Sequence, residues 1–195
     1  PNTLETIIIL FIFAAEILGE INNFFNIFPH WDTLLHTLNG FICAGIGFSL
    51  VNLLNKNSEN INLSPAYLLL VSFTFSMTIG VLWEFGEYTM DTFFLMDAQK
   101  DTQITTISST YLNEKGENKS VILDDIAYTK IYSRDSSGKE IETTIGGYLD
   151  IGLTDTMADL FVNFLGAIIF NLIAYLYLKD NEKYKFITGF IPTKK

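Results

Sequence analysis

The sequence predicts an all-α membrane protein: four transmembrane helices in a bundle, with a small extracytoplasmic β-ribbon inserted between helices three and four. Three observations carry this prediction. The 195 residues are 49% apolar and 17% charged, a low charge for a soluble domain. Four stretches reach the roughly 20 apolar residues that a bilayer core requires. A polar segment rich in β-branched residues separates the last two of them.

The first span runs from about Leu4 to Phe25 and the second from about Thr33 to Leu54. The third opens at Ser64-Pro65, a helix-starting pair, and carries through to about Tyr88. The fourth runs from about Asp155 to Leu178. This layout gives three helices in residues 1–96, a loop at 97–148, the fourth helix within 149–180 and a basic tail at 181–195. Within the loop, ITTISSTY, SVIL, IAYTKIY and EIETTI read as strands, with turns at NEKGEN and SRDSSGKE. The start at Pro1, with no basic leader region, raises the expectation of a further segment before it.

Basic residues set the orientation. Lys56 lies between spans two and three, and Lys179, Lys183, Lys185, Lys194 and Lys195 make the tail basic. Four crossings put both on one side, which the positive-inside rule makes cytoplasmic, and the 97–148 loop extracytoplasmic. The NIFPHW link carries no cation and belongs outside, with Trp31 suited to the interface. Trp83 and Tyr88 suit the interface in the same way. The net charge of -10 argues against nucleic acid, since little would neutralise phosphates. Cys43 is the only cysteine, which excludes a disulfide framework and suits a buried, inert thiol.

The acids are unevenly placed. Glu16 and Glu20 occupy the outer half of span one, and Asp32 and His36 open span two, with Asn39 and Gly40 one turn deeper. Glu84, Glu87 and Asp91 close span three; Asp155, Asp159 and Asn163 open span four at steps of four. Such spacings share a helix face, and all four groups fall toward one leaflet. No Lys or Arg occurs from Pro1 to Asn55, from Asn57 to Gln99, or from Glu140 to Leu178. An ionised side chain at mid-bilayer costs a few kcal/mol. Crowding adds about 4 kcal/mol per like-charged pair at about 4 Å and a dielectric of about 20. Shared protons, water or a cation can relieve that cost.

Carboxylates with one imidazole suit a divalent Zn, Mn, Fe or Mg ion. The candidate ligands are His36, Glu84, Glu87, Asp91, Asp155 and Asp159. Glu16, Glu20, Asp32, Asn39 and Asn163 would hold those ligands in place. Structural readings stand beside this one. Asp32 can cap span two, and Asp155 with Thr154 can cap span four. His36 can hydrogen-bond across helices, and Glu87 and Asp91 can lie in the headgroup layer. Gly40, Gly45, Gly47 and Gly166 allow close helix packing.

The stretches LGEINNFF (18–25), WDTLLHTLNGF (31–41), GVLWEFGEYTMD (80–91), QKDTQI (99–104) and GYLDIGLTDTMADLFVNFLGA (147–167) resemble the YjdF-like group of small, uncharacterised bacterial membrane proteins. The last stretch is also similar to the broader VanZ-like pattern of an early His, a mid-chain Glu and a late Asp-x-x-x-Asn. Here those are His36, Glu84 and Asp159 with Asn163, although an extended outer loop interrupts this chain. The resemblance implies a helical bundle in a bacterial cell membrane and no established reaction.

Three functions follow as expectations. One is an outward-facing intramembrane site that binds a divalent metal and acts on a lipid-linked or envelope substrate. There the metal would polarise an ester or phosphoryl oxygen, and a carboxylate such as Glu87 would handle the proton. Another is a proton- or cation-coupled transporter, opposed by the lack of ionisable residues in the inner halves of the spans. The third is a structural or interaction protein whose acids share protons. In each, membrane lipids are the surrounding partners.

Overall fold

The computed structural model describes residues 2–58, 62–180, 182–184 and 189. Most of the expected basic tail, including Lys185, Lys194 and Lys195, lies outside the described residues. The chain divides into a helical unit, 1–89 with 157–195, and an inserted unit, 90–156.

The helical unit holds α1 (Asn2–Ile12), a π-helical segment (Phe13–Ile21), α2 (Phe24–Ile27) and α3 (Trp31–Asn57). It also holds most of α4 (Pro65–Phe94) and α5 (Leu153–Lys179). Among the described residues, three helices, α3, α4 and α5, are long and apolar enough to cross a membrane. Ser64 Oγ accepts the Tyr67 N–H at 3.3 Å and opens α4, as the Ser-Pro pair predicts.

The first expected span is built differently. Its α-helix stops after eleven residues and continues for nine in π geometry. It ends at Ile21 rather than Phe25. Asn22 donates its amide to the Ile17 carbonyl at 2.6 Å, and Asn23 takes a left-handed conformation with φ 60°. Asparagine tolerates that conformation better than most residues, so the polar pair supplies the stop.

The three long helices meet through small residues. A Cβ on Gly40 would lie 2.0 Å from the Asn163 carbonyl oxygen, and one on Gly166 would lie 2.0 Å from that of Thr37. The backbones of α3 and α5 therefore touch where only glycine fits. Helix α4 joins by hydroxyl bonds: Ser76 Oγ donates to the Gly40 carbonyl and Ser72 Oγ to that of Ala44, both at 2.8 Å. On the other side of this contact sits the core of Ala44, Phe48, Val51, Leu68, Ala167, Phe170, Ala174 and Tyr177. Phe170 packs edge-on against Phe41 at 5.3 Å and Phe48 at 6.0 Å. The outward faces are apolar too, with Leu70, Leu82, Phe85, Phe161 and Leu172 exposed. A helix that is apolar all round suits lipid rather than water.

The inserted unit is β-rich, as expected. It contains β1 (Gln103–Ile104), β2 (Ile107–Ser109), β3 (Val121–Leu123), β4 (Tyr128–Arg134), β5 (Glu140–Gly146) and β6 (Tyr148–Leu149). They form three antiparallel pairs, β1–β6, β2–β3 and β4–β5, rather than one ribbon. The predicted SRDSSGKE turn joins β4 to β5. Asp135 Oδ1 accepts from the Ser137 and Lys139 N–H groups, while Gly138 supplies the positive φ, 83°, for the turn at 136–138 that the Asp135–Lys139 backbone bond closes.

Gly40→Ala is expected to cost about 1–3 kcal/mol or more, because backbone and not a movable side chain blocks the new methyl. Gly86, with nothing within 4 Å of its Cβ position, is the control: Gly86→Ala should be neutral or gain up to about 1 kcal/mol of helix propensity. Thermal melts of the two variants in the same detergent check both directions.

Candidate metal centre

The Gly40 contact fixes where the polar side chains fall. One turn is about four residues. Four residues before Gly40 stands His36, four before Asn163 stands Asp159, and four after Gly80, packed against the Asn163 amide, stands Glu84. These three side chains meet, and all three residues are buried: 7% of His36, 4% of Asp159 and 4% of Glu84 remain exposed.

Both imidazole nitrogens face acids. Nε2 lies 3.5 Å from Asp32 Oδ1 and 3.9 Å from Asp159 Oδ2; Nδ1 lies 3.8 Å from Glu84 Oε1. Asp32, His36 and Asp159 each present one ligand atom, all within 4.8 Å of one another. Asp32 is the open side of the group, with 36% of its side chain exposed. The helix cap before it is His30, which makes no side-chain cap bond. Asp32 thus stands in the first turn of α3 rather than at its cap.

A polar ladder lies one turn deeper. Asn39 donates its amide to Asn163 Oδ1 at 3.3 Å, Cys43 Sγ lies 3.4 Å from Asn39 Oδ1, and the Asn163 amide lies 3.6 Å from Met77 Sδ. The two asparagines, expected to support the site, join α3 to α5 directly beneath it.

The other acids have different neighbours. Glu16 and Glu20 lie exposed on the π-helical segment. Glu87 accepts the Trp83 indole N–H at 2.7 Å. Asp91 and Asp155, in the inserted unit, take backbone N–H groups. Asp91 accepts those of Ala98 at 2.5 Å and Gln99 at 2.9 Å, and Asp155 that of Lys100 at 2.7 Å. Asp150 accepts from Thr102 at 3.0 Å and from Thr154 at 2.8 Å. It is therefore Asp150 that takes up an N–H in the first turn of α5, where Asp155 with Thr154 was expected to cap. The D-x-x-x-T spacing in LDIGLT was the available signal.

Comparison with known proteins supplies the setting. Residues 1–180 match the model of a family described as a predicted membrane protein (DUF2238). The chain belongs to this family. It is the YjdF-like family, and its description agrees with the three apolar helices found here. No curated protein and no solved structure matches the chain.

Two outcomes test the inserted unit. Asp91→Ala strips the acceptor from two N–H groups and should weaken that turn by about 1–3 kcal/mol, read as faster hydrogen exchange at Ala98 and Gln99. The second is a pH response. A hydrogen bond from Thr106 holds Asp124 below the usual carboxylate range, one from Ser137 does so for Asp135, and one from Lys130 for Glu142. Burial pushes Asp150 up, but its bonds from Thr154 and Thr102 outweigh that and leave it lowered. Groups depressed in the folded state stabilise it above their unfolded values and lose that contribution as pH falls through the folded ones. Asp101, raised by burial and then by repulsion from Asp97, Asp150 and Asp91, acts in the opposite sense. With four groups against one, proteolysis within 97–148 should accelerate below about pH 4 relative to pH 6.

Proposed function

We propose that this member of the family is a multi-pass protein of the bacterial cell membrane that holds a divalent cation at an outward-facing site of Asp32, His36 and Asp159. In this reading the helical stretch Asn2–Ile21 makes a fourth crossing. The loop at 97–148 is then extracytoplasmic, and the Lys56 loop and the tail are cytoplasmic.

The observation that carries the reading is the convergence of one imidazole nitrogen and two carboxylates within 4.8 Å. Tetrahedral ligands at about 2.1 Å from a zinc ion stand about 3.4 Å apart. The 3.5 and 3.9 Å separations from Nε2 are close to that spacing. Two aspartates bring the two negative charges that a divalent ion cancels, in spans that offer no Lys or Arg. The imidazole favours Zn, Fe or Mn over Mg.

Glu84 faces the other ring nitrogen. A carboxylate there favours the tautomer with the proton on Nδ1, by accepting from that N–H, and leaves the Nε2 lone pair for the ion. This assignment exchanges two roles anticipated from the sequence: Asp32 becomes a ligand and Glu84 a positioning residue. Asp91 and Asp155 instead hold the inserted loop. Three protein donors leave a coordination position open, and the chemistry such an ion supplies is polarisation of an ester or phosphoryl oxygen on a lipid-linked or envelope substrate.

Elemental analysis of purified protein tests the site. Wild type should carry close to one metal per chain, His36→Ala and Asp159→Ala should lose it, and Glu84→Gln should bind about 10–100-fold more weakly. Asp91→Ala should keep it. Stoichiometric metal in both His36→Ala and Asp159→Ala, with melts showing folded protein, would remove the proposal.

A further inference from the structure

Three helices give the depth of the candidate centre independently. In the proposed orientation their cytoplasmic ends stand at Asn57 on α3, Pro65 on α4 and Lys179 on α5. His36, Glu84 and Asp159 each lie about 20 residues from those ends, or about 30 Å along the helix. A hydrocarbon core is about 30 Å thick. With Lys56 and Lys179 among the inner headgroups, the centre falls at the outer edge of the acyl chains.

The outward faces agree with that depth. Close to the level of the centre, Leu34 and Leu38 are exposed on α3, Leu82 and Phe85 on α4, and Met157 and Phe161 on α5. Exposed apolar side chains on all three helices suit lipid rather than water around the buried group. Asp32 is the open side of that group, with 36% of its side chain exposed. A molecule that reaches the ion past Asp32 at this depth is an amphiphile, its chains lying beside those apolar faces.

Charge then chooses between the two kinds of oxygen such a molecule offers. Two aspartates already cancel a divalent ion. No Lys or Arg occurs from Pro1 to Asn55, from Asn57 to Gln99, or from Glu140 to Leu178. A phosphate would bring further negative charge into a lipid setting where the spans provide nothing positive to meet it. An ester carbonyl is uncharged, offers a lone pair, and lies where the acyl chains end. We infer that the open coordination position takes the acyl-ester carbonyl of an outer-leaflet glycerolipid and not a phosphate; this rests on the metal reading given under the proposed function.

Paramagnetic spectroscopy separates the two oxygens. The full chain is stripped with a chelator, reloaded with Mn²⁺ and placed in nanodiscs of phosphatidylcholine carrying ¹³C at its ester carbonyls. Electron–nuclear double resonance should show the ¹³C coupling of a bound carbonyl and lack the ³¹P coupling of a bound phosphate. A ³¹P coupling of that strength, from the headgroup or from added inorganic phosphate, would overturn the inference. So would bound Mn²⁺ without ¹³C coupling. If His36→Ala still abolishes Mn²⁺ binding, either result leaves the metal reading standing, whereas a wild type that holds no ion removes both. Nitroxides at Leu38→Cys and Met157→Cys, in a Cys43→Ser background, check the depth. They should be several-fold more accessible to O₂ than to an aqueous nickel chelate, with the reverse at Ser137→Cys. Greater nickel access at the first two would lift the centre above the acyl chains and overturn the inference.

Discussion

The backbones of α3 and α5 touch at Gly40 and Gly166, and the placement of the neighbouring buried polar groups follows from that contact. Inside lipid, helices gain little from hiding apolar surface from each other, so association relies on close packing and interhelical hydrogen bonds. Glycine provides the first, and Ser72 and Ser76, bonding carbonyls of α3, provide the second. With depth and rotation set there, a single turn carries His36, Asp159 and Glu84 to the same place. The centre is a geometric consequence of the helix contact rather than a feature of any one helix.

The carboxylates are used differently in the two units. In the inserted unit, Asp91, Asp150 and Asp155 accept main-chain N–H groups of residues 98, 99, 100 and 102. Backbone N–H groups hold these three acids. In the helical unit, Asp32, Glu84 and Asp159 surround an imidazole. One population of acids shapes a loop; the other gathers around the histidine.

Much of this was visible in the sequence. Apolar length marked α3, α4 and α5, the Ser-Pro pair marked the start of α4, and the Asp-Ser-Ser-Gly run marked the hairpin turn. The steps of four that put acids on one face of each helix were also visible. Which acids meet was not, since that depends on how each helix is rotated against its neighbours. Glu84 and Asp91 are seven residues apart on one face of α4, and nothing in the pattern tells that the second serves the loop. The π geometry of Phe13–Ile21 was hidden as well, because its apolar composition suits either kind of helix.

The inserted unit leaves α4 and returns to α5 through β1 and β6, which lie side by side, Ile104 opposite Tyr148. Closing a chain whose ends are already adjacent costs little more entropy when it grows longer. The stretch between those two residues is thus a natural graft point. Sequence there can be lengthened, shortened or exchanged for a foreign module while the aspartate-held stem keeps its own bonds.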